Sequence, residues 1–362
     1  MLRPKEAIRA LPSYHPPLAG RTGLRLDFNE NAVGCSPRVL ETLRQLTAED
    51  LARYPGRQAV EESLAKFLGV VADELLLTNG VDEGIHLLCQ TFLGPGDEAL
   101  IVAPTYSMYR IYMMAAGAQV REIRSAPDFR FPLNQLCDSV TERTKLIAVA
   151  NPNNPTGALA TVDALRRLAA SAPSAAVLVD EAYFEFCGLT ALGLLAECSN
   201  VFVTRTFSKA YGLAGLRIGA LIGNREQMAA IRLACSPYNV NAVALACLPA
   251  AIEDAEYVQR YVDEVLQSRA RLEIFLGEQG IQLWPSRANF VLFRVGVTKE
   301  DAKAFTERMR AGGILVRDRS SDYGCEGCVR ITLGTREQTD RLLGALRQEL
   351  PAITLQQGTA RV

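Results

Sequence analysis

The chain has 362 residues, 49% hydrophobic and 22% charged, with 39 Lys and Arg against 40 Asp and Glu for a net charge of -1. That composition describes a globular chain of about two domains and excludes disorder, a collagen repeat and a small disulfide scaffold. The balanced charge supplies no basic field for a nucleic-acid backbone, and apolar runs such as LIAVA at 146–150 fall far short of a membrane span.

Residues 12–23, PSYHPPLAGRTG, are too rich in Pro and Gly to continue a helix and predict an extended N-terminal arm. Ser36–Pro37, an N-cap followed by Pro at the first helical position, predicts a helix through VLETLRQL; a second, AVEESLAKFL, ends at Gly69. Short apolar strands then alternate with helical patterns: LLLT at 75–78, EALIV at 98–102, KLIAVA at 145–150, AVLVD at 176–180, NVFVTRT at 200–206 and RIGALIG at 217–223. The alternation predicts an α/β fold with an open, mainly parallel sheet covered by helices on both faces. Ligands of such sheets collect beyond the carboxyl ends of the strands. A long amphipathic stretch at 254–280 places Val258, Val262, Val265, Leu266, Leu272 and Leu276 near helical spacing. Beyond it, IQLW, NFVLFRV, a helix near 299–311, ILVRD, CVRITLG and a final helix predict a smaller α+β unit.

Nine cysteines, an odd number scattered mostly among apolar neighbours, suit a reducing compartment, so the cytoplasm is the expected location. Cys325 and Cys328 form a CxxC, but no second pair stands at zinc-ribbon spacing and the chain holds two histidines. A loop turning at Gly327 is expected there, with no metal. His86, within VDEGIHLLCQTFL, is expected to be a packed helix residue.

The strand ends carry the chemistry. After the strand at 200–206 comes Thr206-Phe207-Ser208-Lys209, with Arg217 eight residues beyond the lysine. A lone lysine is ordinarily a solvated one; desolvated or beside another cation, its amine becomes a Schiff-base nucleophile. Asp180 ends AVLVD and could simply cap a helix, or it could pair with the protonated nitrogen of a pyridine cofactor, with Tyr183 offering a hydroxyl to that cofactor's phenolic oxygen. Asn151 to Gly157, NPNNPTG, is by composition a tight turn, and a rigid turn can aim the Asn154 amide at a ligand. Gly80 and Val81 stand between a strand and an apolar helical pattern, where free backbone N–H groups make a phosphate site, and Thr206, Ser208 and Arg217 could add donors. Tyr106 in PTYSMY could lie against a planar cofactor or pack in the core. Each signal alone is modest, but together they spell pyridoxal phosphate.

GVDEGIHLL, PTYSMYRIY, NPNNPTG, VLVDEAY, TFSKAYGLAGLRIG, SPYNVN, PSRANFVLFRV and GILVRDRSS with CVRITLG occur together and in order. With them the chain resembles the histidinol-phosphate aminotransferase family of fold-type-I pyridoxal-phosphate enzymes, from LDFNENAVGCSP at 26–37 to the last helix. The resemblance implies that Lys209 binds the cofactor as a Schiff base and shuttles the substrate's proton, that Asp180 holds the ring nitrogen, and that Asn154 and Tyr183 bind the phenolic oxygen. It implies that Tyr106 stacks on the ring, that the backbone at Gly80 and Val81 holds the phosphate with Thr206, Ser208 and Arg217, and that Tyr54 of the RYP at 53–55 reaches the phosphate of the second subunit of a homodimer. Arg330 and Arg317 are implied to grip the substrate's anionic end, and Tyr14 with Asn29 to close over it; Arg317 beside Asp318 could equally be a surface arginine. Pattern and resemblance divide the chain into an arm at 1–23, a small α+β domain at 24–50 and 275–362, and a large cofactor-binding α/β domain at 51–274.

The function so implied is transamination between histidinol phosphate, or imidazole-acetol phosphate, and glutamate, or 2-oxoglutarate, in histidine biosynthesis. The alternatives are an aromatic amino-acid aminotransferase and a threonine-phosphate decarboxylase. No nucleic acid or membrane partner is expected. The arm departs from the family's usual string, reading SYHPP, and Val81 stands where Ser or Ala is common, so its phosphate contact can only be through the backbone.

Overall fold

The computed structural model describes residues 2–11 and 20–359. Residues 12–19 of the expected arm, with Tyr14, lie outside the described residues; within the arm Glu6–Arg9 form a short helix. In chain order the strands are β1 (Leu24–Arg25), β2 (Leu75–Thr78), β3 (Glu98–Ala103), β4 (Gln119–Arg124), β5 (Thr144–Ala150), β6 (Ala176–Asp180) and β7 (Val201–Thr206). They continue with β8 (Gly219–Gly223), β9 (Leu283–Trp284), β10 (Phe290–Arg294), β11 (Ile314–Leu315), β12 (Arg317–Asp318) and β13 (Cys328–Thr332). A seven-stranded sheet runs in the order β2-β8-β7-β6-β5-β3-β4, and a four-stranded one β12-β13-β10-β9.

The large sheet is parallel except for β8, which pairs antiparallel with β2 on one side and β7 on the other. Its central strands are buried on both faces, which is why they read as continuous apolar runs rather than alternating ones. β8 lies between strands far apart in sequence, and its Gly219 stands opposite both Thr78 and Thr206. That register brings the ends of β2 and β7 together. β8 begins at Gly219, two residues later than its apolar pattern suggests, because Arg217 adopts a left-handed turn, φ +53°.

The helices follow their local signals. Pro37–Gln45 is capped by Ser36, whose hydroxyl accepts from the Arg38 N–H at 3.1 Å, and Gln58–Leu68 ends on Gly69 at φ +73°. Ala255–Glu278 turns Val258, Tyr261, Val262, Val265, Leu272, Phe275 and Leu276 inward and packs against β10 and the last helix, Arg336–Thr359. Val81–Phe92 carries His86 on its exposed side, stacked on Tyr112 at 5.4 Å, rather than packed in the core as expected; the helix turns Leu87, Leu88 and Cys89 inward instead.

In the small sheet β13 pairs antiparallel with β10 and β12, which sets Arg317 directly opposite Arg330. β1 runs parallel to β11, Leu24 against Ile314, and so lays residues 26–30 over the same sheet. Gly23 permits that approach: a Cβ there would stand 2.4 Å from the Gly313 carbonyl oxygen. Between β12 and β13 the chain turns at Gly327, φ +69°, where the Cys328 N–H donates to the Cys325 carbonyl. Both thiols are buried with Phe129, Trp284 and Leu292. No helix among the described residues is long and apolar enough to cross a membrane.

Candidate active site

A cavity of about 250 Å³ opens beyond the carboxyl ends of β5, β6 and β7, where an open α/β sheet collects ligands. Lys209 lies in it, and its Nζ donates to the Phe28 carbonyl at 3.2 Å. Burial first, and the Arg330 guanidinium second, push the Lys209 amine down to about 8, against a smaller pull upward from Glu30. The cavity therefore holds a nucleophilic amine close to neutral pH.

Asp180 closes the inner end, buried among neutral donors. Its Oδ1 accepts from the Thr204 hydroxyl at 3.0 Å and the Ala182 N–H at 3.1 Å, and its Oδ2 from the Tyr109 hydroxyl at 2.6 Å. Burial raises its pKa while those donors act to lower it. Among the described residues no cation forms an ion pair with it, so this carboxylate suits a ligand's positive charge. Tyr183 is also buried, and its hydroxyl accepts from Asn29 Nδ2 at 2.8 Å. Asn154, on the turn after β5, lines the same cavity.

At the other end, Thr206, Ser208, Arg217 and Val81 line the wall. Gly80 caps the helix Val81–Phe92, whose first-turn N–H groups lack intrahelical partners. The Gly80 N–H itself already donates to the Thr78 carbonyl at 2.8 Å, so it is not the anion donor expected of it. Its contribution is space: a Cβ at Gly80 would stand 2.5 Å from Arg217 Nη2. The left-handed turn at Arg217 brings the guanidinium there, where it pairs with Asp82 at 3.1 Å. Tyr106 lines the cavity with its hydroxyl donating to Asp82 at 2.9 Å and its ring edge-on to Tyr109.

A second, basic recess adjoins the first and shares Lys209, Tyr106, Tyr183 and Asn154 with it. Arg317, Arg319 and Arg330 line this recess. Arg330 is buried; it donates to Asn154 Oδ1 and, at 2.7 Å, to the Asp27 carbonyl. Burial, then Arg319 and Arg317, act to lower its pKa, a measure of how unfavourable so much positive charge is without an anion. Arg317 lies over the Phe28 ring at 5.3 Å, and Arg319 pairs with Asp322. Asn29 is 1% exposed at φ +55°; besides its bond to Tyr183, its N–H donates to the Thr332 hydroxyl and its Oδ1 accepts from it. These bonds seat it on the wall of the recess beside Tyr183. Tyr54 lines neither recess: it is 79% exposed and stacks on Tyr238 at 4.4 Å.

Sequence reasoning passed over Tyr109, Asp82 and Arg319. Tyr109 stands one helical turn after Tyr106, and Arg319 stands two residues after Arg317, the spacing that returns a side chain to one face of a strand.

Residues 21–346 match the family described as aminotransferase class I and II. A histidinol-phosphate aminotransferase of Geobacillus sp. (strain WCH70) is 35% identical over 96% of this chain and 98% of its own length. Another, of Roseobacter denitrificans, is 39% identical over 89% of this chain and 90% of its own. The crystal structure of histidinol-phosphate aminotransferase from Sinorhizobium meliloti in complex with pyridoxal-5'-phosphate superposes with a TM-score of 0.89 at 26% identity, covering 98% of this chain and 99% of that one.

Proposed function

Because the chain belongs to the aminotransferase class I and II family, we propose that it moves an amino group from histidinol phosphate to 2-oxoglutarate, yielding imidazole-acetol phosphate and glutamate, in histidine biosynthesis. The cofactor is pyridoxal 5'-phosphate. The donors present fit it: a desolvated lysine, a buried carboxylate that no cation pairs with among the described residues, and a cup of N–H and hydroxyl donors into which Gly80 leaves room for Arg217. Bound there, the cofactor supplies a carbonyl that condenses with amines and a ring that withdraws electrons from the adjoining carbon.

Each residue then has one task. Lys209 would hold the cofactor through its side-chain amine, and that amine, once free, would move the proton between the substrate's α-carbon and the cofactor's C4′. Asp180 keeps the ring nitrogen protonated. Asn154 and Tyr183 orient the ring's phenolic oxygen, and Tyr106 covers a face. The N–H of Val81, with Thr206, Ser208 and Arg217, anchors the phosphate. In this reading residues 51–274 carry the cofactor, and 24–50 with 275–362 form the smaller domain.

The observation that carries the substrate is the register of Arg317 opposite Arg330. Like charges directly across a ladder repel, and a third cation, Arg319, faces the same recess. A dianionic phosphate relieves that repulsion better than a single carboxylate does. We also place a homodimer here, with the exposed Tyr54 reaching the partner's phosphate cup, and a reducing cytoplasm, which the nine free cysteines suit.

The test is the visible absorption of the purified protein as histidinol phosphate is added without an oxo acid. Loss of the yellow band at low concentration supports the reading. A band lost only to phenylalanine or tyrosine removes the phosphate assignment, and carbon dioxide released from threonine phosphate replaces transfer with decarboxylation.

A further inference from the structure

We infer that Tyr109 is a positioning residue: through its hydrogen bond to Asp180 Oδ2 it holds that carboxylate ionised and aimed at the ring nitrogen of the bound cofactor. The inference rests on the cofactor reading above and adds a residue to it.

The geometry has three parts. First, the Tyr109 hydroxyl reaches Asp180 Oδ2 at 2.6 Å, in the range of an O–H donating to a charged oxygen. Second, the opposite oxygen, Oδ1, already takes two donors, Thr204 and the Ala182 N–H, so Oδ2 is the oxygen with acceptor capacity left for a ligand. Tyr109 occupies one side of that oxygen and leaves the other. Third, Tyr109 is itself wholly buried in the apolar cluster under the sheet, and its ring meets Tyr106 edge-on at 5.5 Å and 86°. The phenol cannot swing away, and burial beside Asp180 drives its own ionisation far above the ordinary range, so it remains a proton donor at every working pH.

Neutral donors alone have a specific consequence for a buried carboxylate. They stabilise the ionised form without cancelling its charge, so the charge remains available to the ring nitrogen. An arginine in the place of Tyr109 would cancel it. The two tyrosines of PTYSMY thus divide the work: Tyr106 is bonded to Asp82 at the mouth, and Tyr109 to Asp180 at the base.

The experiment compares two ligands on the full-length apo-protein: pyridoxal phosphate, and its analogue in which the ring nitrogen is replaced by CH. Tyr109→Phe keeps the ring and its packing and removes only the hydroxyl. If Tyr109 acts through Asp180, the variant loses roughly tenfold or more in affinity for pyridoxal phosphate and nothing for the analogue, since a bond to a charged group is at stake only with the former. Equal loss for both ligands would make Tyr109 merely structural and overturn the inference, as would no loss for either. Should the wild-type protein bind neither ligand, the cofactor reading falls and this one with it.

Discussion

The Arg330 guanidinium donates to the side-chain oxygen of Asn154, so a cation of the small sheet sets the orientation of an amide at the end of the large one. With Oδ1 taken, the Asn154 nitrogen is the atom left to donate into the cavity. On the proposed roles of these two residues, substrate grip and cofactor orientation would share one bond.

That sharing predicts coupling. Arg330→Gln should lower kcat/KM for histidinol phosphate by about 100-fold, the effect of removing a buried charged partner. It should also weaken the cofactor, because Asn154 is released. Asn154→Ala should weaken the cofactor by itself, and the double variant should bind cofactor no worse than Asn154→Ala. Losses in cofactor affinity that simply add would show that the two side chains act separately.

Lys209 sits under burial and the positive fields of Arg330 and Arg217, opposed by Glu30 and Asp82, with a net push down to about 8. An amine attacks only in its neutral form, so covalent capture of cofactor by the apo-protein should rise about tenfold per pH unit below about 8 and level off above it. Borohydride trapping followed by mass spectrometry reads the rate. A rise that continues unchanged to pH 10 would sink the depressed lysine. Lys209→Ala should abolish both capture and turnover while still binding cofactor non-covalently.

Much of this was legible in the chain itself. β2, β6 and the ends of β5 and β7 fall where the apolar runs stand, because strands buried on both faces need no alternation to be seen. β4 escaped because it is an edge strand of largely polar residues, QVREIR, with one of its six side chains buried. The antiparallel direction of β8 is likewise invisible in its composition, yet it is what joins Gly80, Thr206 and Arg217 into one cup. Tyr109 reads as core from its neighbours, and only the position of Asp180 reveals what its hydroxyl does. Asn29 makes long-range bonds to Tyr183 and Thr332 that no local pattern announces.

The three arginines of the basic recess differ in what holds them. Among the described residues, Arg330 is anchored on Asn154 and Asp27, Arg319 on Asp322, and Arg317 only over the Phe28 ring. Arg317 thus has the most donors free for a ligand. Arg317→Gln should raise KM for histidinol phosphate by about tenfold or more and leave phenylalanine, which has no second anion, little changed. Equal effects on both amino donors would return Arg317 to the status of a surface residue beside Asp318.

Tyr54 tests the assembly. Tyr54 is 79% exposed, stacks on the half-exposed Tyr238 and lines neither recess of its own chain. If it completes the partner's phosphate cup, Tyr54→Phe lowers cofactor affinity, and the defect belongs to the opposite subunit. Mixing Lys209→Ala with Tyr54→Phe chains decides it. In the mixed dimer, one site combines both lesions, while the other has an intact Lys209 from the Tyr54→Phe chain and an intact Tyr54 from the Lys209→Ala chain. At limiting cofactor, activity should therefore exceed the sum of the two parents after subunits are unfolded and refolded together. If Tyr54 instead served its own chain, neither site of the mixed dimer would be whole, and mixing would give no gain.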